Sequence, residues 1–220
     1  MTARRTRILP LLAVVSLMAG CAAPKRTVDY AAFKESRPRS ILVLPPLNES
    51  PAVQATYSMM SLSTYPLAEG GYYVLPVTLV DETFRQNGLQ TPGDIHAVAP
   101  GKLREIFGAD AALYLTVSDY GTKYLVLDSV TVVRAKAKLV DLKTGDTLWT
   151  GAASASSNEG NNSSGGGLIG MLVTAAVKQI ANSIADTGHG IAAVTTSRLL
   201  TTGTPGGLLY GPRSPKYEAD

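Results

Sequence analysis

Val126 to Leu142 reads as a long alternating strand. Val133, Ala135, Ala137 and Leu139 are apolar, and Arg134, Lys136 and Lys138 between them are charged. Successive side chains of a strand leave on opposite faces, so this pattern demands an extended segment with one face in a core and the other in water. Thr144-Gly145-Asp146 reads as a tight turn, and Thr147 to Ser156 is expected to return as the antiparallel partner. Upstream, Ala111 to Val117 reads as a buried strand, with a turn at Asp119-Tyr120-Gly121 before the alternating run. The chain must therefore contain a three-stranded meander, half exposed, that packs helices on its apolar side.

The remaining segments supply those helices. Ile41-Leu42-Val43-Leu44 is a continuous apolar run stopped by Pro45-Pro46, as a central strand buried on both faces would be. Ser50 and Pro51 open a helix expected to run to about Ala68 with a kink at Pro66, carrying Val53, Tyr57, Met60 and Leu67 inward. Gly70-Gly71 ends it, and Tyr72 to Leu75 is a second short strand. Val77 to Gln86 is helical with Leu79, Val80, Thr83 and Phe84 on one side. Thr91-Pro92 and Ala99-Pro100 each open a further short helix, the second packing Leu103, Ile106 and Phe107. After a Gly/Ser/Asn loop at 158–167, helices are expected at Leu168–Ala185 and from about Ile191 to Leu200. The order implies an α+β fold, an α/β sandwich with a mixed sheet, an antiparallel C-terminal meander and helices packed on it. One globular domain spans 41–201, and 202–220 is a Gly/Pro-rich tail, loose or docked as an extended strand.

The N-terminus is of another kind. Arg4, Arg5 and Arg7 precede an almost uncharged apolar run, Ile8 to Gly20, and small residues lead into Cys21 in Leu17-Met18-Ala19-Gly20-Cys21. Spanning a bilayer takes about 20 apolar residues, so the run fits a secretory signal instead. The ending resembles a lipobox, which implies a signal peptide at 1–20, cleavage between Gly20 and Cys21, lipidation of Cys21, and a lipidated tether at 21–40. Ala22 stands where an inner-membrane retention signal carries Asp, so resemblance to Gram-negative lipoproteins implies the outer membrane, at its periplasmic face. The full chain has 20 basic and 17 acidic residues. Removing Arg4, Arg5 and Arg7 with the signal leaves the two balanced, so no nucleic-acid partner is expected. Cys21 is the single cysteine, and no internal disulfide can form.

Catalytic and metal patterns are missing. His96 and His189 are the two histidines, far apart and in no metal-binding frame, and are expected to be ordinary surface or loop residues. No G-x-S-x-G elbow occurs, and no serine is placed by a recognisable base. Ser164-Gly165-Gly166-Gly167 lacks the Lys-Ser/Thr ending of a phosphate loop, since Leu168-Ile169 stand there. No cofactor, metal or catalytic residue is assigned, and an enzyme is not expected. Arg134, Lys136 and Lys138 read as a solvated sheet face, and Trp149 as a packing anchor. Tyr72, Tyr73, Tyr114, Tyr120 and Tyr124 read as core or interface residues.

Four segments carry a wider resemblance: Ile41–Ser50, Thr64–Val74, Gly145–Trp149 and the tail Tyr210-Gly-Pro-Arg-Ser-Pro-Lys-Tyr217. Together they resemble a domain-of-unknown-function family of proteobacterial lipoproteins. More distantly the layout is similar to the TolB N-terminal domain and to CsgG-like curli-secretion lipoproteins. That resemblance implies a non-catalytic interaction or assembly component of an envelope complex for secretion or transport, with other envelope lipoproteins as partners. The turns at 118–126 and 142–147 are too short for a membrane-inserting hairpin. An uncovered edge at Thr147–Ser156 implies self-association as a dimer or a ring. The alternative is a small-molecule or glycan-binding lipoprotein that serves transport.

Overall fold

A computed structural model describes residues 28–124, 129–159 and 187–217. The signal peptide, Cys21, the Gly/Ser loop beyond Glu159 and the expected helix Leu168–Ala185 lie outside the described residues. Among the described residues no helix is long and apolar enough to cross a membrane.

The sheet is mixed and six-stranded, in the order β3-β1-β4-β5-β6, with β2 also paired to β4. Ile41, Leu42 and Val43 form β1 (Ser40–Val43) and are wholly buried, because β1 lies parallel between β3 (Tyr73–Val74) and β4 (Ala111–Tyr124). A strand covered on both faces has no polar face to show, which is why the run does not alternate. β2 (Leu47–Asn48) continues along the same side of β4 after the two prolines. Asp110 fastens the start of β1 to the start of β4: its carboxylate accepts from the N–H groups of Arg39 and Ser40, at 3.0 and 3.1 Å.

β4, β5 (Ser129–Asp141) and β6 (Thr147–Ser156) form the expected antiparallel meander. Val133, Ala135, Ala137 and Leu139 are buried beneath α7 (Thr187–Leu200), while Arg134, Lys136 and Lys138 are exposed. The turn expected at Asp119-Tyr120-Gly121 does not exist. β4 runs on through it to Tyr124, with a register shift between Val117 and Asp119, and Tyr120 is buried. A bulge absorbs the extra residue, and Gly121 takes its positive φ of 114° inside the strand. The hairpin is consequently longer than the short turn expected at 118–126.

The helix expected from Pro51 also divides differently. Asn48 Oδ1 accepts from the Ser50 N–H and hydroxyl, and Asn48 Nδ2 donates to Ala52 O, which holds residues 50–52 as a turn. The helix α2 (Ala55–Leu62) therefore starts late, and its phase turns Ala55, Met59 and Met60 inward. Val53 is left 86% exposed and Tyr57 half exposed, against expectation. The chain breaks at Ser63, and Pro66 falls in the first turn of α3 (Thr64–Glu69), where a missing N–H removes no helical bond. In α4 (Val77–Gln86) Val80 and Phe84 face inward, and Leu79, expected beside them, is 64% exposed. Two short helices follow, α5 (Pro92–His96) and α6 (Pro100–Phe107). Phe84 meets Phe107 of α6 with ring centres 5.0 Å apart; Leu103 is buried and Ile106 exposed.

The stretch read as tether is not all tether: α1 (Ala31–Ser36) buries Phe33, and the Ser36 hydroxyl donates to Asp141. Asp141 also accepts from the N–H groups of Lys143 and Thr144, at 2.6 and 2.9 Å, which shapes the β5–β6 turn. Burial pushes its pKa up, but these hydrogen bonds and the nearby Arg104 outweigh burial and hold it below the ordinary carboxylate value. With the folded pKa depressed, the unfolded chain binds more protons on the acid side. The stabilisation is complete above the unfolded value of about 3.9 and is lost as pH falls through the folded one. Asp141→Asn is expected to cost about 1–3 kcal/mol at pH 7 and to weaken the acid sensitivity of folding. Urea titrations of both proteins at pH 7 and pH 3 check this; an unchanged acid dependence contradicts it.

Candidate functional site

The C-terminal tail is docked, by turns and not as an extended strand. Gly211 N–H donates to Gly70 O at 2.8 Å and Arg213 N–H to Gly71 O at 3.0 Å. The Arg213 guanidinium lies over the Tyr73 ring. Trp149 Nε1 donates to Gly206 O, the Tyr72 hydroxyl to Leu209 O, and the Tyr30 hydroxyl to Gly207 O. Segments 64–74, 145–149 and 210–217, separate in sequence, thus converge through the tail. Trp149 is buried, as a packing anchor should be. Between α1, Tyr72 and the tail lies a cleft of about 270 Å³, lined by Phe33, Arg37, Leu209, Tyr210 and Tyr217 among others.

The second feature is the far end of the sheet. β6 is the last strand, and among the described residues no strand pairs with its outer side. Its ends are tied: Trp149 to the tail, and Ser154 O to Arg198 Nη1 at 2.8 Å. Thr150, Ala152 and Ser154 are exposed on the same face as Arg134, Lys136 and Lys138. That face is therefore open to solvent across two adjacent strands.

Neither histidine is an idle surface residue, contrary to expectation. His96, at the end of α5, is half buried; its Nε2 donates to Pro45 O at 3.0 Å and its ring stands edge-on to Tyr114 at 5.1 Å. Burial, and after it the charge of Lys138, lowers the His96 pKa although the Pro45 bond opposes them. Burial likewise pushes the Tyr114 phenol up, so it stays protonated at neutral pH. His189 Nδ1 lies 2.8 Å from Ser58 Oγ, which also accepts the Tyr120 hydroxyl at 2.9 Å. No local sequence pattern marks this pair, because 131 residues separate Ser58 from His189. The contact joins α7, α2 and β4 in one polar network, and Ser58 is only 9% exposed.

Gly20 and Cys21 lie outside the described residues, so the fold cannot place the processing site. Among the described residues no three or more His, Cys, Asp or Glu side chains are grouped to hold a metal ion.

A family model described as "Putative lipoprotein GNA1162-like" matches residues 28–213. A protein of like description, NMB1124/NMB1162 of Neisseria meningitidis serogroup B, is 52% identical over 206 residues, covering 94% of this chain and 95% of its own length. The crystal structure of lipoprotein GNA1162 from Neisseria meningitidis is similar at 59% identity with a TM-score of 0.54, covering 66% of this chain and all of that one. A PelC dodecamer from Paraburkholderia phytofirmans is similar at 14% identity and a TM-score of 0.42, covering 80% of this chain and 91% of that one, too slight a likeness to carry an argument.

Proposed function

The chain belongs to the GNA1162-like lipoprotein family, and from that membership we propose that it is a non-catalytic assembly component of an envelope complex, held at the periplasmic face of the outer membrane by lipid on Cys21. The observation that carries this reading is β6. Among the described residues no strand pairs with its outer side, whose backbone is met by a side chain at Ser154 O, the acceptor from Arg198, and such an edge offers N–H and C=O groups for pairing. The face beside it holds small residues, Thr150, Ala152 and Ser154, that leave room for a second surface to approach. Self-pairing of β6 about a two-fold axis is the simplest closed arrangement. Against catalysis stands the setting of Ser58, clamped inside α2 between Tyr120 and His189 and almost fully buried.

Sedimentation of the soluble form that begins after Cys21 tests the self-pairing. A dimer or larger species is expected at micromolar concentration, and a monomer throughout that range opposes it. The cleft beneath the tail supports a second reading, a small apolar or aromatic ligand carried by the lipoprotein.

A further inference from the structure

Lys136 and Lys138 stand two residues apart on the open sheet face, and their cross-strand neighbours are uncharged. Thr116 and Ala152 flank Lys136; Tyr114 and Thr150 flank Lys138. Arg134, the next of the row, is held by Asp119, which also holds Lys123. No carboxylate pairs with Lys136 or Lys138 among the described residues. Both ammonium groups leave the same face of one strand, where like charges repel and an anion between them is attracted by both.

The face is not flat beside these lysines. α5 sets His96 against Tyr114, and with Leu47 and Thr116 they line an open, shallow cleft of about 330 Å³ that reaches both lysines. The Lys138 ammonium lies 5.0 Å from the centre of the Tyr114 ring. Since Nε2 of His96 donates to a carbonyl, Nδ1 is the nitrogen that gains or loses the titrating proton.

We propose that this cleft binds a phosphate group, gripped by the two lysines and by His96. A tetrahedral anion offers enough acceptor oxygens for two ammonium groups, the Thr116 and Tyr114 hydroxyls and a protonated imidazole together, and a carboxylate offers fewer. Leu47 and the Tyr114 ring supply an apolar margin for whatever the phosphate is attached to. The ionisable groups around His96 are Tyr114 of β4, Lys136 and Lys138 of β5, and Asp94 of its own helix, whose carboxylate accepts the Thr91 hydroxyl. Pro45, Pro46 and Leu47, from the connection below it, carry none. An anion between His96 and Lys138 removes the repulsion that disfavours the imidazolium, so binding raises the histidine's pKa. Its lining comes from β2, α5, β4 and β5, with none from β6.

The shared chemistry is a phosphate, free or on a lipid headgroup. The test follows the His96 imidazole resonances of the full-length lipoprotein in nonionic detergent, titrated with inorganic phosphate or with short-chain phosphatidylglycerol. Saturable movement and a higher His96 pKa with at least one probe are expected. Tighter binding of phosphate assigns a soluble ligand, and tighter binding of the lipid assigns a headgroup; either supports the site. Lys136→Gln with Lys138→Gln should weaken binding at least about tenfold, as loss of charged hydrogen bonds does. Lys102→Gln, on α6 and paired with Glu105, should leave it unchanged. No saturable shift with either probe, or equal weakening by Lys102→Gln, overturns the proposal.

Discussion

Gly71→Val is expected to undock the C-terminal tail and lower the melting temperature by roughly 5–20 °C. Gly71 has φ +94°, a conformation that costs a residue with a Cβ about 1–2 kcal/mol. Space is the second obstacle: a Cβ there would lie 2.4 Å from Ser214 N and 2.7 Å from Gly211 O. Those atoms belong to the tail backbone, which cannot swing aside as a side-chain tip can. Overpacking adds about 1–3 kcal/mol, and for a domain of this size each kcal/mol is worth about 2–4 °C. Gly88→Val is the control, since Gly88 also has positive φ but has nothing within 4 Å of its would-be Cβ. Melting curves, with tryptic cleavage at Arg213 and Lys216 as the report on docking, separate the two effects. Equal losses in both variants would assign the whole effect to φ and deny that the tail needs this glycine.

Cys21→Ser is expected to abolish lipid labelling, block signal cleavage and release the protein from its normal membrane fraction. The motive is the run from Arg4 to Cys21, whose small pair Ala19-Gly20 directly precedes the cysteine, together with membership of a lipoprotein family. Each buried CH₂ contributes roughly 0.8 kcal/mol, so several acyl chains bind essentially irreversibly and nothing weaker replaces them. The effect is all or none. Metabolic labelling with a fatty acid and membrane fractionation read it, and a variant that is still labelled and processed contradicts the anchor.

What sequence made legible here was periodicity. The alternation from Val133 to Leu139 and the unbroken run Ile41–Leu44 each named a strand and its degree of burial, because strand faces repeat every two residues. Helix phase was less legible. Ala55, not Pro51, starts α2, since Asn48 traps Ser50 and Ala52 in a turn, and that shift turned Val53 and Tyr57 outward. Gly121 looked like a turn because glycine tolerates positive φ, but a bulge inside a strand uses the same freedom. The candidate sites were the least legible of all. His96 meets Tyr114 and Lys138 only because α5 folds across β4, and Ser58 finds His189 only when α7 packs on α2. No local pattern announces contacts made between distant segments. The four motif segments were visible as words, yet the tail's grip on Gly70-Gly71 and on Trp149 is a product of the fold.

Binding of other proteins through β6 is the work proposed for this lipid-anchored domain. A photo-crosslinking residue placed at Ala152, on the exposed face of β6, in the full-length lipoprotein in its own membrane tests that most directly. Discrete adducts are expected, to a second copy or to another envelope protein, and they should be absent when the same probe replaces Glu105 on α6. Adducts of equal yield from both positions, or none from Ala152 in a normally localised protein, would contradict it.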